Sequence, residues 1–480
     1  MSQRNRSQRS NRTNRRRSGL RIAGAAGLLG ALLFAHTPSP AASHLGNTPI
    51  LTHLTPHKLL VIVPHPDDET LAATGLIERT LSAGGQVKVA VMTNGDGFQR
   101  AAALAFQVDK PTPQDLYRLG RLRQQEELEA VGHLGLSRED IVFLGYPDAG
   151  LHRLWSEHWN DKRPYRSLNG HQQVPYPLSY RKDAPYCGQA VVADLRALLA
   201  TFQPTDVLYP DPLDIHNDHW ATSAFAQYAL TRENALGSPR EWTYLIHYPD
   251  YPAPRRYNPL QALEQPASLG NIGHHWYYVP LPQAAQAKKH RALLAHRSQI
   301  KVMRDLLESF VRQNDLIAQP ALEYVPQNPL PSDPFSDASK KGVRAVADPL
   351  GDQRERTGAE SDIRSVQVRQ AGAQVQVILE LGAPLTPARR YAFRFRMPGT
   401  NEADLSRLDL HWHDGTLTCQ QQPQAVIPFP EAVRAQAKDN RLLVSLPREL
   451  LGHVWMLSAD VSDGHVTLDQ SPWRRFRLPF

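Results

Sequence analysis

The strongest constraint on the fold is the apolar run LLVIV, which directly follows Lys58. A short, continuous apolar run rich in β-branched residues is typical of a strand buried on both faces of a parallel sheet. Parallel strands need crossover connections, usually helices. The sequence predicts further strands at 86–93, 141–144 and 207–209, and helices at 69–83, 115–134, 189–202 and 219–231. This alternation predicts a Rossmann-like, doubly wound, mostly parallel α/β sheet.

The chain has 480 residues, which is more than one hydrophobic core usually organises. We expect the α/β domain to span 55–320, with a long loop at 153–185 over the mouth of a site and a closing helix at 283–315. Residues 321–360 are rich in Pro, Ser, Asp and Lys, which predicts a linker. Short apolar alternations separated by turn residues then predict an all-β sandwich at 361–480. Because this second domain lacks a cluster of acids and histidines, we expect it to bind or pack rather than catalyse.

The positive charge of the chain is confined to its first residues. Residues 1–21 contain eight arginines and no acid, so they account for the whole net charge of +7. They run into an uncharged stretch at 22–35 that is rich in Ala, Leu and Gly and is followed by small residues. This order predicts an export signal at 1–43, either cleaved or kept as a membrane anchor, and a periplasmic, cell-surface or secreted protein. No basic, aromatic-interleaved patch recurs downstream, so a nucleic-acid partner is not expected.

The first candidate site is the motif PHPDDE at 64–69, which begins where the first predicted strand ends. Ligands of open parallel sheets bind at this end of the strands. The chain has only two cysteines, so a metal would be held by His, Asp or Glu. His65 and Asp68 can converge on one zinc ion, and Asp67 between them can face the water. The alternative is an ordinary helix start with acids in its first turn.

A second cluster, DPLDIHNDH at 211–219, follows another short strand and should reach the same edge of the sheet. His219 can complete a His-Asp-His zinc site that leaves a fourth position open for water. His216 is then free to protonate a leaving amine or to stabilise an oxyanion, and Asp218 can orient that imidazole. The alternative, surface histidines that cap a helix, is less favoured because two such clusters follow equivalent strands.

PHPDDE followed by His-x-Asp-His resembles the PIG-L/LmbE family of zinc-dependent N-acetylglucosaminyl deacetylases. The similarity covers about residues 57–310 and includes the segments 93–96, 123–126, 145–148 and 296–299. The resemblance implies the following roles: zinc ligands His65, Asp68 and His219; general base Asp67; acid or oxyanion partner His216; substrate contacts Arg123 and Asp148. Asn217 stands where the family usually has proline, and we expect it to change the stiffness of the loop.

These observations predict zinc-dependent hydrolysis of an N-acyl amide, expected to be N-acetyl, on an amino sugar or glycoconjugate outside the cytoplasm. The competing hypothesis is a carbohydrate-binding surface protein with a vestigial site, although every catalytic position is occupied. Two residue-level alternatives also stay open. Arg123 can instead form a salt bridge with Glu126 or Glu127 on its own helix, and Asp148 can be a simple turn residue.

Overall fold

The structure is a computed structural model, and the residues it describes fall into ten segments. They are 49–51, 54–231, 238–270, 275–320, 323–328 without 326, 335, 344–348, 358–399, 405–422 and 432–478 without 465. The predicted export signal at 1–43 lies outside them, as does most of the predicted linker at 321–360. Within the described part of the chain, no helix is both long and apolar enough to cross a membrane.

The first domain is built on a seven-stranded sheet, counted over the described residues. Its strands are β1 (Lys58–Val63), β2 (Gln86–Thr93), β3 (Ile141–Tyr146), β4 (Asp206–Pro210), β5 (Arg240–Tyr244), β6 (His275–Pro280) and β7 (Asn314–Gln319). They are arranged in the order β3-β2-β1-β4-β5-β7-β6. The first five are parallel, whereas β7 is antiparallel to both of its neighbours. The predicted doubly wound, mostly parallel sheet is therefore confirmed.

Helices cover both faces of this sheet. They are α1 (Asp68–Ser82), α2 (Gln99–Phe106), α3 (Pro113–His133), α4 (Leu151–Ser156), α5 (Gly188–Phe202), α6 (Asn217–Ala229), α7 (Gln283–Ala295) and α8 (Arg297–Glu308). Strand β1 separates two apolar cores: Val61 and Val63 belong to one, and Leu60 and Ile62 to the other. Alternate residues of a strand point to opposite faces, which is why a strand between two cores is apolar throughout.

The strand order reverses between β1 and β4, and this position determines where the site lies. Strands β2 and β3 lie on one side of β1, whereas β4 and β5 lie on the other. The chain leaves β1 into α1 and leaves β4 into α6, so the carboxyl ends of the two central strands open into one crevice. A topological switch point of this kind is the usual ligand site of an open α/β sheet.

The second domain consists of two mostly antiparallel sheets. Its strands are β8 (Glu323–Tyr324), β9 (Gln327–Asn328), β10 (Arg344–Ala347), β11 (Ile363–Ala371), β12 (Gln374–Leu381), β13 (Arg390–Pro398), β14 (Leu405–His413), β15 (Thr416–Gln422), β16 (Arg434–Lys438), β17 (Arg441–Pro447), β18 (Val454–Asp463), β19 (Val466–Gln470) and β20 (Arg474–Arg477). One sheet has the order β10-β11-β12-β17-β16, with β9 beside β11, and the other has β15-β14-β13-β18-β20-β8, with β19 beside β18. Both sheets contribute side chains to one core, which includes Val377 and Phe393. The predicted sandwich is confirmed, and the segment predicted as a linker contributes β8, β9 and β10.

Two predictions of local structure were wrong, and two strands were missed. The helix expected at 283–315 is two helices that break at His296, followed by β7. Part of the loop expected at 153–185 belongs to α4, and neither β5 nor β6 was predicted. Short strands beside a long helical pattern are easily missed, because a run of four to six residues carries little periodicity of its own.

The two domains share an apolar core. Leu405, Met456 and Trp473 of the sandwich belong to the same buried cluster as Trp155 of the first domain. The rings of Trp155 and Trp473 lie 5.3 Å apart, edge to face. The guanidinium of Arg407 also donates hydrogen bonds to the Trp155 and Ser156 carbonyl oxygens at 3.0 and 2.8 Å. The sandwich therefore packs against the α/β domain as part of one unit.

We expect Trp473→Ala to destabilise the protein by about 3–5 kcal/mol, because it removes a large buried side chain from this shared core. Trp473 is 3% exposed. Thermal unfolding should therefore begin at a clearly lower temperature than in the wild type. Leu260→Ala is the control, since Leu260 is 83% exposed and its loss should leave the melting temperature unchanged. Equal melting temperatures for the two variants would mean that the interface does not contribute to stability.

Candidate active site

The turn after β1 directs two adjacent carboxylates toward different partners. Asp67 is the N-cap residue of α1 and has a φ of 118°, in a region that residues other than glycine rarely adopt. Its backbone N–H donates to Glu69 Oε2 at 3.2 Å, which helps to hold this conformation. As a result, Asp67 faces Arg123, whereas Asp68 faces His65. Strained backbone of this kind is concentrated at functional sites.

The structure brings the three predicted zinc ligands together. Asp68 Oδ2 lies 3.3 Å from His65 Nδ1 and 3.4 Å from His219 Nε2. All three side chains are buried. His65 comes from the turn after β1, and His219 from the first turn of α6, so the cluster forms at the switch point.

These residues fit a zinc ion. Within the described residues, the buried His219 Nε2 has no hydrogen-bond partner, an arrangement that is costly unless another group satisfies it. Two imidazole nitrogens and one carboxylate oxygen form a donor set that zinc prefers. The second nitrogen of each imidazole faces a carboxylate: His65 Nε2 is 3.1 Å from Asp148 Oδ1, and His219 Nδ1 is 3.1 Å from Asp214 Oδ2. A carboxylate that faces the second nitrogen in this way commonly orients a metal-binding histidine.

The electrostatics of the crevice also favour a cation. Burial raises the pKa of Asp67 to about 8, and the charge of Arg123 opposes this rise only in part. Burial acts in the same direction on Asp68, but the charge of His219 and the hydrogen bond with His65 outweigh it and hold the Asp68 pKa well below its usual value. Burial disfavours a charged imidazole at His65, yet the surrounding carboxylates raise its pKa. This excess of buried carboxylates is the condition that a bound cation relieves.

Two further histidines line the crevice. His216 caps α6, and its Nδ1 accepts a hydrogen bond from the Asp218 backbone N–H at 3.3 Å. Burial and the neighbouring histidines lower the pKa of His216 to about 4. His247, which the sequence analysis missed, can offer a ligand atom within 4.8 Å of those of Asp68 and His219. It lies just beyond the end of β5, so a prediction of that strand would have revealed it.

The position of Asp218 differs from our expectation. Its carboxylate accepts hydrogen bonds from the backbone N–H groups of Ala149 and Leu151 at 2.6 and 3.0 Å, and it lies 3.5 Å from His65 Nε2. It therefore orients His65 rather than His216, which it contacts through its backbone. The reason is that the 149–151 turn, distant in sequence, supplies the donors that fix this carboxylate.

The two predicted substrate contacts lie in the crevice and are also held by the protein. Arg123 is buried and donates to the carbonyl oxygens of Gly95 and Pro66 at 3.1 and 2.6 Å and to Asp67 Oδ2 at 3.2 Å. Its ion pair within the described residues is with Asp67 rather than with an acid of its own helix. Asp148 accepts hydrogen bonds from the backbone N–H groups of Gly97 and Ala149 and also faces His65. Their contact with a sugar stays a prediction.

A second buried cluster supports the turn from behind. Glu69, Glu127 and His296 are fully buried and offer polar atoms within 4.8 Å of one another. Burial lowers the pKa of His296 to about 3 and raises that of Glu127 well above its usual value. Because Glu69 also accepts the N–H of Asp67, this cluster connects α3 and α8 to the strained turn.

The crevice opens into a cavity of about 280 Å³, here called the site pocket. It is lined by the polar groups His65, Asp67, Asp68 and His216 and by apolar side chains. The apolar lining includes Phe98, Ile246, Met303, Leu306 and Leu307. A few convergent polar groups in a mostly apolar cleft are typical of a small-molecule site.

The fold and the site define an α/β domain in which a cluster of His and Asp side chains, suited to binding a metal ion, lies at the topological switch point. Residues 60–230 match the PIG-L family, described as GlcNAc-PI de-N-acetylase, and this segment of the chain is a PIG-L family domain.

Several solved structures are similar to the first domain. The N,N'-diacetylchitobiose deacetylase of Pyrococcus horikoshii is 20% identical, with 52% of this chain and 76% of that chain covered and a TM-score of 0.31. The A40926 pseudoaglycone deacetylase Dbv21 is 16% identical, with 55% and 96% covered and a TM-score of 0.35. The 4-carboxy-2-hydroxymuconate hydratase GalB of Pseudomonas putida KT2440 is 17% identical, with 53% and 82% covered and a TM-score of 0.33. No curated protein sequence matches the chain.

Proposed function

We propose that the protein hydrolyses an N-acyl amide, and specifically an N-acetyl group, on an amino sugar or glycoconjugate. Zinc would be its cofactor. The observation that carries the proposal is the approach of His65 Nδ1 and His219 Nε2 to one oxygen of Asp68, with the carboxylate of Asp67 beside them and paired to Arg123 instead. A de-N-acetylase family domain over the same residues supports the reaction class.

His65, Asp68 and His219 would hold the zinc, which would lower the pKa of a water and polarise the amide carbonyl. Asp67 would accept the proton that the water loses as it attacks the carbonyl carbon. Burial raises the pKa of Asp67, which strengthens this carboxylate as a proton acceptor. The same carboxyl group would then protonate the amide nitrogen, so that the amine can leave.

His216 would act on the oxygen of the former carbonyl. Because its Nδ1 already accepts the Asp218 N–H, the neutral ring carries its proton on Nε2. An N–H held in a buried crevice is the kind of donor that stabilises an oxyanion. We therefore favour an oxyanion partner over an acid for this residue.

We also propose that the protein acts outside the cytoplasm. The proposal rests on the arginine-rich, then apolar, then small-residue order of residues 1–43. The segment would be either cleaved or kept as an anchor. An exported hydrolase would meet glycans and glycoconjugates of the cell envelope or its surroundings.

We expect the purified, untagged protein to contain about one zinc per chain, because the three protein ligands form a single site for one ion. Removing the zinc with a chelator should stop acetate release from N-acetylated sugars, and adding zinc back should restore it. Elemental analysis and an acetate assay on the same sample would measure both quantities. Deacetylation that continues in zinc-free protein would contradict the proposal, and a chain with neither zinc nor activity would support a vestigial site.

A further inference from the structure

A second cavity, of about 520 Å³, lies between the two domains and is here called the interdomain cavity. From the first domain it is lined by Ile215, Asn217, Trp220 and Pro249, among others. The sandwich contributes Asp348 and the segment 469–473. The cavity is therefore formed only when the sandwich is in place.

The interdomain cavity shares its walls with the site pocket. His216 lines the site pocket, whereas its two neighbours, Ile215 and Asn217, line the interdomain cavity. The same holds for a second stretch, where His247 lines the pocket and Pro249 lines the cavity. The two spaces are thus contiguous across two short backbone segments, 214–217 and 246–249.

The lining of the interdomain cavity suits sugar rings, which have an apolar face and polar edges. Trp220 is half-buried, and its Nε1 donates to Asn217 Oδ1 at 3.3 Å, which fixes the indole at the wall. Ile215 is 53% exposed and adds apolar surface. Asn217, Gln470 and Asp348 bring amide and carboxylate groups, which bond hydroxyls. Asn217, where the resemblance leads one to expect proline, thus has a role that proline could not fill.

The sizes of the two spaces point to a substrate longer than one sugar. Pockets for drug-sized ligands measure about 300–1,000 Å³. The site pocket, at about 280 Å³, suits a single sugar with its acyl group, whereas the interdomain cavity, at about 520 Å³, has room for further units.

We propose that the interdomain cavity binds the sugar units next to the one that is deacetylated, so that the substrate is an amino-sugar oligosaccharide or polysaccharide. This inference rests on the proposed function and names the substrate class of the same site. It gives the sandwich a direct part in substrate binding, although it supplies no catalytic group.

The test uses the full chain with two substrates, N-acetylglucosamine itself and its β-1,4-linked tetramer. We expect kcat/KM for acetate release to be higher for the tetramer. The tetramer-to-monomer ratio should fall about tenfold in Trp220→Ala, because the variant removes the apolar face against which a sugar ring would pack. Trp220→Phe keeps an aromatic face and should restore most of the ratio. Ile215→Arg, at an exposed position, should lower the ratio by obstructing the cavity without disturbing a core.

Trp412→Ala is the matched control, since Trp412 is also half-buried but lies on β14 outside the cavity, and it should leave the ratio unchanged. Equal tetramer-to-monomer ratios in the wild type, Trp220→Ala and Ile215→Arg would overturn the inference while leaving the proposed function intact. If neither oligomer releases acetate, the proposed amino-sugar hydrolysis fails instead. Calorimetric binding of the tetramer then decides on the cavity alone: weaker binding in Trp220→Ala supports it, and equal or absent binding overturns it.

Discussion

Replacing His219 with alanine should remove the bound zinc and lower acetate release by roughly 10³-fold or more, because a site with three protein ligands has none to spare. His219 is the most informative position, since it belongs both to the proposed ligand set with His65 and Asp68 and to the alternative set with Asp68 and His247. The melting temperature should also stop responding to added zinc, because a metal that binds only the folded chain stabilises it. Elemental analysis, the acetate assay and thermal unfolding with and without zinc would measure the three effects.

Two control variants sharpen this experiment. His290→Ala removes a half-buried histidine of α7 that pairs with Glu308 and belongs to none of these ligand sets, so its zinc content should stay normal. His247→Ala separates the two possible donor sets: zinc should be retained if His65, Asp68 and His219 are the ligands. Loss of zinc in His247→Ala together with its retention in His65→Ala would instead assign the metal to Asp68, His219 and His247. Normal zinc in His219→Ala would contradict both.

The parts of the fold that the sequence predicted are those encoded locally. Strand β1 is a continuous apolar run because it separates two cores, and the turn that follows it carries His65, Asp67 and Asp68 within four residues. Position along the chain was therefore enough to place these side chains at the end of a buried strand. The same argument applied to the cluster after β4, and the adjacency of the two strands in the sheet brings both clusters together.

The parts that were not predicted depend on contacts between distant segments. No local sequence pattern indicates that Trp473 packs against Trp155 of the other domain. The partner of Asp218 is fixed by N–H groups about seventy residues away in the chain, at Ala149 and Leu151. His247 was missed because β5, the strand before it, has only five residues and is only partly buried. A short strand of this kind leaves no clear alternation to detect.

Asp67→Asn should lower kcat by about 10²-fold or more while zinc stays bound, because the substitution removes the base but no ligand. Asparagine has almost the same shape as aspartate and tolerates positive φ better than most residues, so the backbone at 118° should persist. Arg123 keeps its hydrogen bonds to the Gly95 and Pro66 carbonyl oxygens and can still donate to the amide oxygen of the new side chain. Alanine would be a poorer choice, since it would strain the turn and disturb the neighbouring Asp68.

The measurement pairs zinc content with kcat on one preparation, because the separation of the two distinguishes a base from a ligand. Asp439→Asn is the matched control: Asp439 has a φ of 53° and is exposed in the sandwich, so the same exchange at positive φ should change neither quantity. In His219→Ala the metal and the rate should fall together, whereas in Asp67→Asn the rate should fall alone. Near-normal turnover by zinc-loaded Asp67→Asn would mean that another group takes the proton from water, and the role of Asp67 would then be limited to holding Arg123 in the wall of the pocket.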